Sequence, residues 1–124
     1  MTSRNETIFQ NYLGVIDAHL ADVLEGKVDT MFELRDVAKL LFIHPGHLSN
    51  VIKEHTGKHP CYFYEKKLLA IAKRYLEDEQ YSVADVARIL TYDPSNFTKW
   101  FRTYQGVTPS QYRAQLVKQA AAVA

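Results

Sequence analysis

The sequence predicts an all-α fold of about seven helices, in which one helix–turn–helix unit is used twice with a long helix between the copies. Two observations carry that expectation. First, FELRDVAKLLFIHPGHLSNVIKEHTGKHP, from Phe32 to Pro60, slides without a gap onto YSVADVARILTYDPSNFTKWFRTYQGVTP, from Tyr81 to Pro109. The offset is forty-nine residues throughout. Under it Asp36, Val37, Ala38, Leu41, Pro45, Gly57 and Pro60 meet Asp85, Val86, Ala87, Leu90, Pro94, Gly106 and Pro109. Second, the apolar residues recur at helical spacing along the chain. A shared core pattern under freely differing surface residues marks one supersecondary unit used twice.

In chain order, Thr7 to Glu25 reads as the first helix. Ile8, Tyr12, Val15 or Ile16, Leu20, Val23 and Leu24 make its apolar stripe, and Gly26 is the stop. The stripe suits packing on the first unit, with a dimerising amphipathic helix as the alternative. Lys27 to Met31 is a connector, and Thr30 with Glu33 has the spacing of a capping box. The first unit then has apolar Leu34, Leu40, Leu48, Val51 and Ile52 where the second has Val83, Ile89, Phe97, Trp100 and Phe101.

Pro60 opens the bridging helix, which the pattern carries to about Asp78 through Phe63, Tyr64, Leu68 (or Lys67), Ile71, Ala72, Tyr75 and Leu76. Nineteen helical residues rise roughly 28 Å. The second unit follows. Ser82 stands at an N-cap with Asp85 three residues on, Asp93-Pro94 breaks the chain, and a new helix runs to Gly106. Phe97, Phe101 and Tyr104 are expected on its inner side with Trp100 beside them. Ser95, Thr98, Lys99 and Arg102, at i, i+3, i+4 and i+7, lie on one outer line. The matching line in the first unit is Gly46, Ser49, Asn50 and Lys53. A small polar surface ending in cations fits a helix laid in the major groove of DNA; an ordinary solvated face is the alternative. A last helix from Pro109 to about Gln119 closes the second unit, and Ala120 to Ala124 is expected to fray.

Composition sets bounds on these readings. The chain of 124 residues is 47% hydrophobic, enough for one domain or two small lobes. A net charge of +1 is low for a nucleic-acid binder, so binding would draw on a local face kept clear of Asp and Glu. Cys61 is the single cysteine, which excludes an internal disulfide and fits a reducing cytoplasm. No run of eighteen apolar residues occurs, and Met1 is followed by Thr-Ser-Arg-Asn-Glu and not by a signal peptide. The expectation is a cytoplasmic chain with no membrane partner.

The motifs HPGHLSNVIKEHTGKHP and SVADVARILTYDPSNFTKWFRTYQGVTPSQYR closely resemble the DNA-binding domain of AraC/XylS-type bacterial transcription regulators, over roughly Thr7 to Lys118. The resemblance implies two helix-turn-helix lobes, residues 7–59 and 80–119, joined by a linker helix at 60–79 within a single domain spanning 1–124. It implies that each unit puts its second helix into a major groove of double-stranded DNA. By the same resemblance Gly46, His47, Ser49, Asn50 and Lys53 belong to the first recognition helix, and Ser95, Asn96, Thr98, Lys99 and Arg102 to the second. Asn50 and Lys99 suit base edges, because Asn can bond adenine bidentately and Lys reaches the acceptors of guanine. Lys53 and Arg102, one turn on, suit phosphates. The family usually carries Arg where this chain has Leu68, with Lys66 and Lys67 just upstream as substitutes for the charge. Activation, and contact with RNA polymerase, follow from the resemblance alone; a monomer bound to DNA is expected from the length of the linker helix, whose rise of roughly 28 Å is close to one duplex turn of about 34–36 Å. A small stand-alone regulator and an excised C-terminal domain both fit the chain.

Other chemistry finds little support. His44, His47, His55 and His59 cluster at spacings that can bind metal, but their places match turn and groove positions, so no metal is expected. No Gly-rich phosphate loop, activated nucleophile or paired carboxylates appear, so neither a cofactor nor an enzyme is expected. The rival function is a helical interaction adaptor that kept the fold and lost DNA binding, which the low charge, Leu68 and Gly46 favour.

Overall fold

Seven helices account for the regular structure of residues 3–123, the part that the computed structural model describes, and no strand occurs among them. They are α1 (Arg4–Leu24), α2 (Leu34–Leu40), α3 (Pro45–Thr56), α4 (Pro60–Leu76), α5 (Val83–Ile89), α6 (Pro94–Gln105) and α7 (Pro109–Val123). The chain divides into two compact units between Lys67 and Leu68, a point inside α4.

In the first unit α1 lays Ile8, Tyr12, Ile16, Leu20 and Val23 against the core that Val37 and Ala38 of α2 and Leu48, Val51 and Ile52 of α3 complete. Each valine, leucine or isoleucine among them, once buried, contributes about 1.5–3 kcal/mol, so the stripe on α1 decides whether the short α2 and α3 have anything to fold onto. The hydroxyl of Tyr12 donates to the Pro60 carbonyl at 2.7 Å in this core. That bond ties α1 to the start of α4. Lys67 reaches Asp17 of α1 at 2.7 Å.

In the second unit Leu68, Ala72 and Leu76 of α4 are buried, as are Val86, Ala87 and Leu90 of the α5 segment and Phe97 and Phe101 of α6. Arg113 of α7 completes the seam. Its guanidinium donates to the carbonyls of Leu76 at 3.0 Å and Tyr81 at 2.6 Å. It thereby satisfies the end of α4 and holds the connection into α5.

The forty-nine-residue repeat holds position by position. Alpha-helices α2 and α5 have seven residues each and α3 and α6 twelve each. Both α3 and α6 begin on a proline and end on a glycine in the left-handed region, Gly57 at φ 75° and Gly106 at φ 88°. The turn between the paired helices also repeats, with Phe42 at φ 57° and Thr91 at φ 66°.

Several boundaries and facings differ from the expectation. Helix α1 begins at Arg4, not Thr7, because Ser3 accepts from the Glu6 N–H and caps it. It ends at Leu24 with Glu25 as the cap residue. Thr30 does not pair with Glu33. Glu33 is itself the N-cap of α2, its N–H donating to Asp36 at 2.8 Å, which is the place Ser82 holds in the repeat. The bridge stops at Leu76, two residues early. Helix α7 continues through Val123, past the expected end at Gln119, since alanines have the highest helix propensity and nothing breaks them. Ala124 lies outside the described residues. Tyr104 is not inward but 51% exposed, and Trp100 is half-buried, stacked on Tyr92 at 5.5 Å. The reason is angular: Phe97 and Phe101, one turn apart, already fill the buried line of α6. None of the helices is long and apolar enough to cross a membrane, among the described residues.

Candidate nucleic-acid interface

Each unit presents its second helix the same way. Prolines at the first position fix the entry of α3 and α6, and the residue before each supplies the cap. In α6 this is Asp93, whose carboxylate accepts from the Ser95 N–H at 3.1 Å and the Ser95 hydroxyl at 2.6 Å. These bonds, with that from Asn96 and the nearby Lys99 charge, hold the Asp93 carboxyl below its ordinary range. The hydroxyl bond leads. In α3 the cap is His44, whose Nδ1 accepts from the Gly46 N–H at 3.1 Å. A Cβ on residue 46 would stand 3.3 Å from that nitrogen, tighter than ordinary contact. Gly46 therefore accommodates the histidine cap, a role its sequence alone does not disclose.

The inner line of each helix is buried: Leu48 and Ile52 in α3, Phe97 and Phe101 in α6. The opposite line is open. Gly46, His47, Asn50 and Lys53 are exposed and Ser49 is half-buried; Ser95, Asn96, Lys99 and Arg102 are exposed and Thr98 is half-buried. The two sets have the same burial pattern, position for position. All ten expected residues thus lie on the second helices, five in each unit.

Their availability is unequal. Ser95 spends its hydroxyl proton on Asp93, and Thr98 donates to the Pro94 carbonyl at 3.0 Å. Both remain acceptors, but neither has a free donor, so Asn96, Lys99 and Arg102 carry the donor capacity of α6. The signal for this was in the sequence. An Asp two residues before a Ser at a helix start favours the local bond, and Thr back-bonds to the carbonyl four residues earlier. In α3 the side chains of His47, Asn50 and Lys53 make no hydrogen bond to another described residue. Lys67, named as a possible substitute for charge at Leu68, is committed to Asp17. Leu68 itself is fully buried.

The other histidines are also accounted for. His59 Nδ1 accepts from the Cys61 N–H at 3.1 Å, capping α4 as His44 caps α3. His55 packs its ring 5.5 Å from Phe9. No group of three or more His, Cys, Asp or Glu is placed to hold a metal ion among the described residues.

Residues 37–115 match the family described as a helix-turn-helix domain, the AraC-type form of it. The chain belongs to the AraC-type helix-turn-helix family. Among curated relatives it is 31% identical over 84 residues to the uncharacterized HTH-type transcriptional regulator YobQ of Bacillus subtilis, covering 67% of this chain and 35% of that one. It is 27% identical over 112 residues to the HTH-type transcriptional activator AarP of Providencia stuartii, covering 90% and 81%. Among solved structures it resembles the DNA-binding domain of the global transcriptional factor AdpA in complex with a target DNA. That likeness has a TM-score of 0.64 and 26% identity over 82% of this chain and 95% of that one. The chain spans only 13%, 35% and 34% of three curated relatives. In the AraC-type frame α3 and α6 are the second helices of two helix-turn-helix units, which is where the two open polar faces lie.

Proposed function

We propose that this AraC-type chain is a sequence-specific, double-stranded DNA-binding transcription regulator, with α3 and α6 entering successive major grooves. The observation that carries the reading is the pair of matched faces. Two helices of the same length, capped at the same position and buried along the same line, each leave four equivalent positions exposed and a fifth half-buried, and the residues there differ between them. Matched scaffolds with different exposed chemistry are what reading two different half-sites requires.

Within that reading Asn50 suits adenine and Lys99 guanine, while Lys53 and Arg102 suit phosphates. His47, Ser49, Asn96 and the acceptor oxygens of Ser95 and Thr98 line the same faces. Residues 1–124 act as one domain, and one monomer occupies one asymmetric site. Activation is supported by the likeness to the activator AarP, and contact with RNA polymerase is the proposed route to it. The reading places the protein in the cytoplasm and assigns it no catalytic step.

Duplex binding measured across a salt series tests it. Several neutralised phosphates give a linear fall of log affinity with log salt, each contributing about 0.9 to the slope. A flat dependence, or no binding at low salt, identifies the helical adaptor instead.

A further inference from the structure

Outside α3 and α6 the first unit carries an exposed patch of lysine and tyrosine. Tyr62, in the first turn of α4, is 44% exposed. The Lys58 ammonium lies 5.2 Å from its ring centroid and that of Lys66 lies 5.7 Å. Lys58 stands two residues past the end of α3, and Lys66 one helical turn past Tyr62. Neither lysine is in an ion pair among the described residues, whereas Lys27, Arg35, Lys67 and Arg88 all are.

The ring both lysines approach is exposed, where a cation–π contact is at its weakest, so the cluster adds little to stability. The neighbouring acids do not cancel its charge. Glu65 lines a cavity with Tyr12, Phe32 and Leu34 on the side of α4 that faces α1 and α2. Glu54, on α3, is exposed and pairs with neither lysine. The repeat makes the patch more telling. The positions equivalent to Lys58, Tyr62 and Lys66 are Val107, Gln111 and Gln115, none of them charged or aromatic. The unit that has the patch is also the unit whose reading face begins with Gly46.

We propose that Lys58, Tyr62 and Lys66 form a clamp on the DNA backbone beside the groove that α3 enters. The two ammonium groups take phosphates and the tyrosine ring holds them apart and in place. The first unit then anchors through phosphate contacts where its reading face is thin. Such contacts set register without reading sequence. The proposal rests on the DNA-binding reading above, and the place of Lys58, two residues past the end of α3, favours DNA over an acidic protein surface.

Fluorescence anisotropy with a selected duplex and a random duplex, across a salt series, tests the clamp. Replacing both residues, Lys58→Gln with Lys66→Gln, should lower the salt slope by about 1.8, at about 0.9 per lost contact. Affinity for the two duplexes should fall by the same factor, and Tm should not move. Lys27→Gln, whose ammonium already pairs with Glu25, should leave the slope where it was. An unchanged slope in the double variant overturns the clamp while the DNA reading stands, and leaves the patch to an acidic protein partner. Absence of duplex binding by the unaltered chain overturns both.

Discussion

Phe42 and Thr91 hold the same place in their two units, and both adopt the left-handed region. That backbone costs a non-glycine residue about 1–2 kcal/mol. For Phe42 no side-chain packing offsets it, because the side chain is 96% exposed. Glycine there relieves the strain at an entropic cost of about 0.5–1 kcal/mol. Phe42→Gly should therefore raise stability by up to about 1 kcal/mol, read as a higher denaturation midpoint. His19 is the second residue whose role pattern alone conceals. It is 4% exposed, accepts from the Phe32 N–H at 3.0 Å and stacks on that ring at 3.7 Å. Burial holds its pKa below the ordinary value, against the opposing pull of Asp22 on its own helix and Asp36 on α2. The unfolded chain therefore takes up the proton first. The stabilisation is complete above the unfolded value of about 6.5 and is lost as pH falls through and below it. Thermal melts at pH 7.5 and 5.5 should show a drop for the unaltered chain and a smaller drop for His19→Gln, which starts lower. The sequence shows a histidine on an apolar stripe; it does not show that Phe32 returns to meet it.

At the scale of the element, caps and breakers were the legible part. Ser82, Pro45, Pro94, Gly57 and Gly106 each stand where a helix starts or stops, because each acts locally on its own backbone. The facing of aromatic residues was less legible. Trp100 and Tyr104 look like core by composition, yet the buried line of α6 is Phe97 and Phe101. Only the angular position decides between them. The capping role of Arg113 was illegible for another reason, since its acceptors lie more than thirty residues upstream. The faces of α6 can be separated by two substitutions. Phe101→Ala should cost about 3–5 kcal/mol of stability, as expected for a fully buried large aromatic. Lys99→Ala should leave Tm nearly unchanged while weakening specific duplex binding. Melting curves beside binding isotherms for the two variants check this, and an exchange of the two outcomes inverts the facing assigned to α6.

At the scale of the whole chain the repeat was the most legible feature, because the forty-nine-residue offset survives in every helix length and cap of the paired units. The charge arrangement was not, since a net of +1 gives no hint that Lys67 is paired while Lys58 and Lys66 gather on one ring. The proposed function turns the repeat into geometry. Helix α4 has seventeen residues and so rises about 25 Å, against about 34–36 Å for a duplex turn. The proposed reading of two half-sites by one chain asks for a spacing of about 10–10.5 base pairs between them. No palindrome is needed, because Gly46, Ser49 and Asn50 cannot ask for the same bases as Ser95, Thr98 and Lys99. Inserting five base pairs turns the second half-site to the far side of the duplex. Recovering it by bending the DNA costs on the order of 1–6 kcal/mol. Footprinting on a selected site and on its five-base-pair insertion tests the claim most directly. The account predicts protection of two consecutive major-groove segments on the first and a large loss of affinity on the second. Equal affinity for both, or protection of one segment in each, would contradict it.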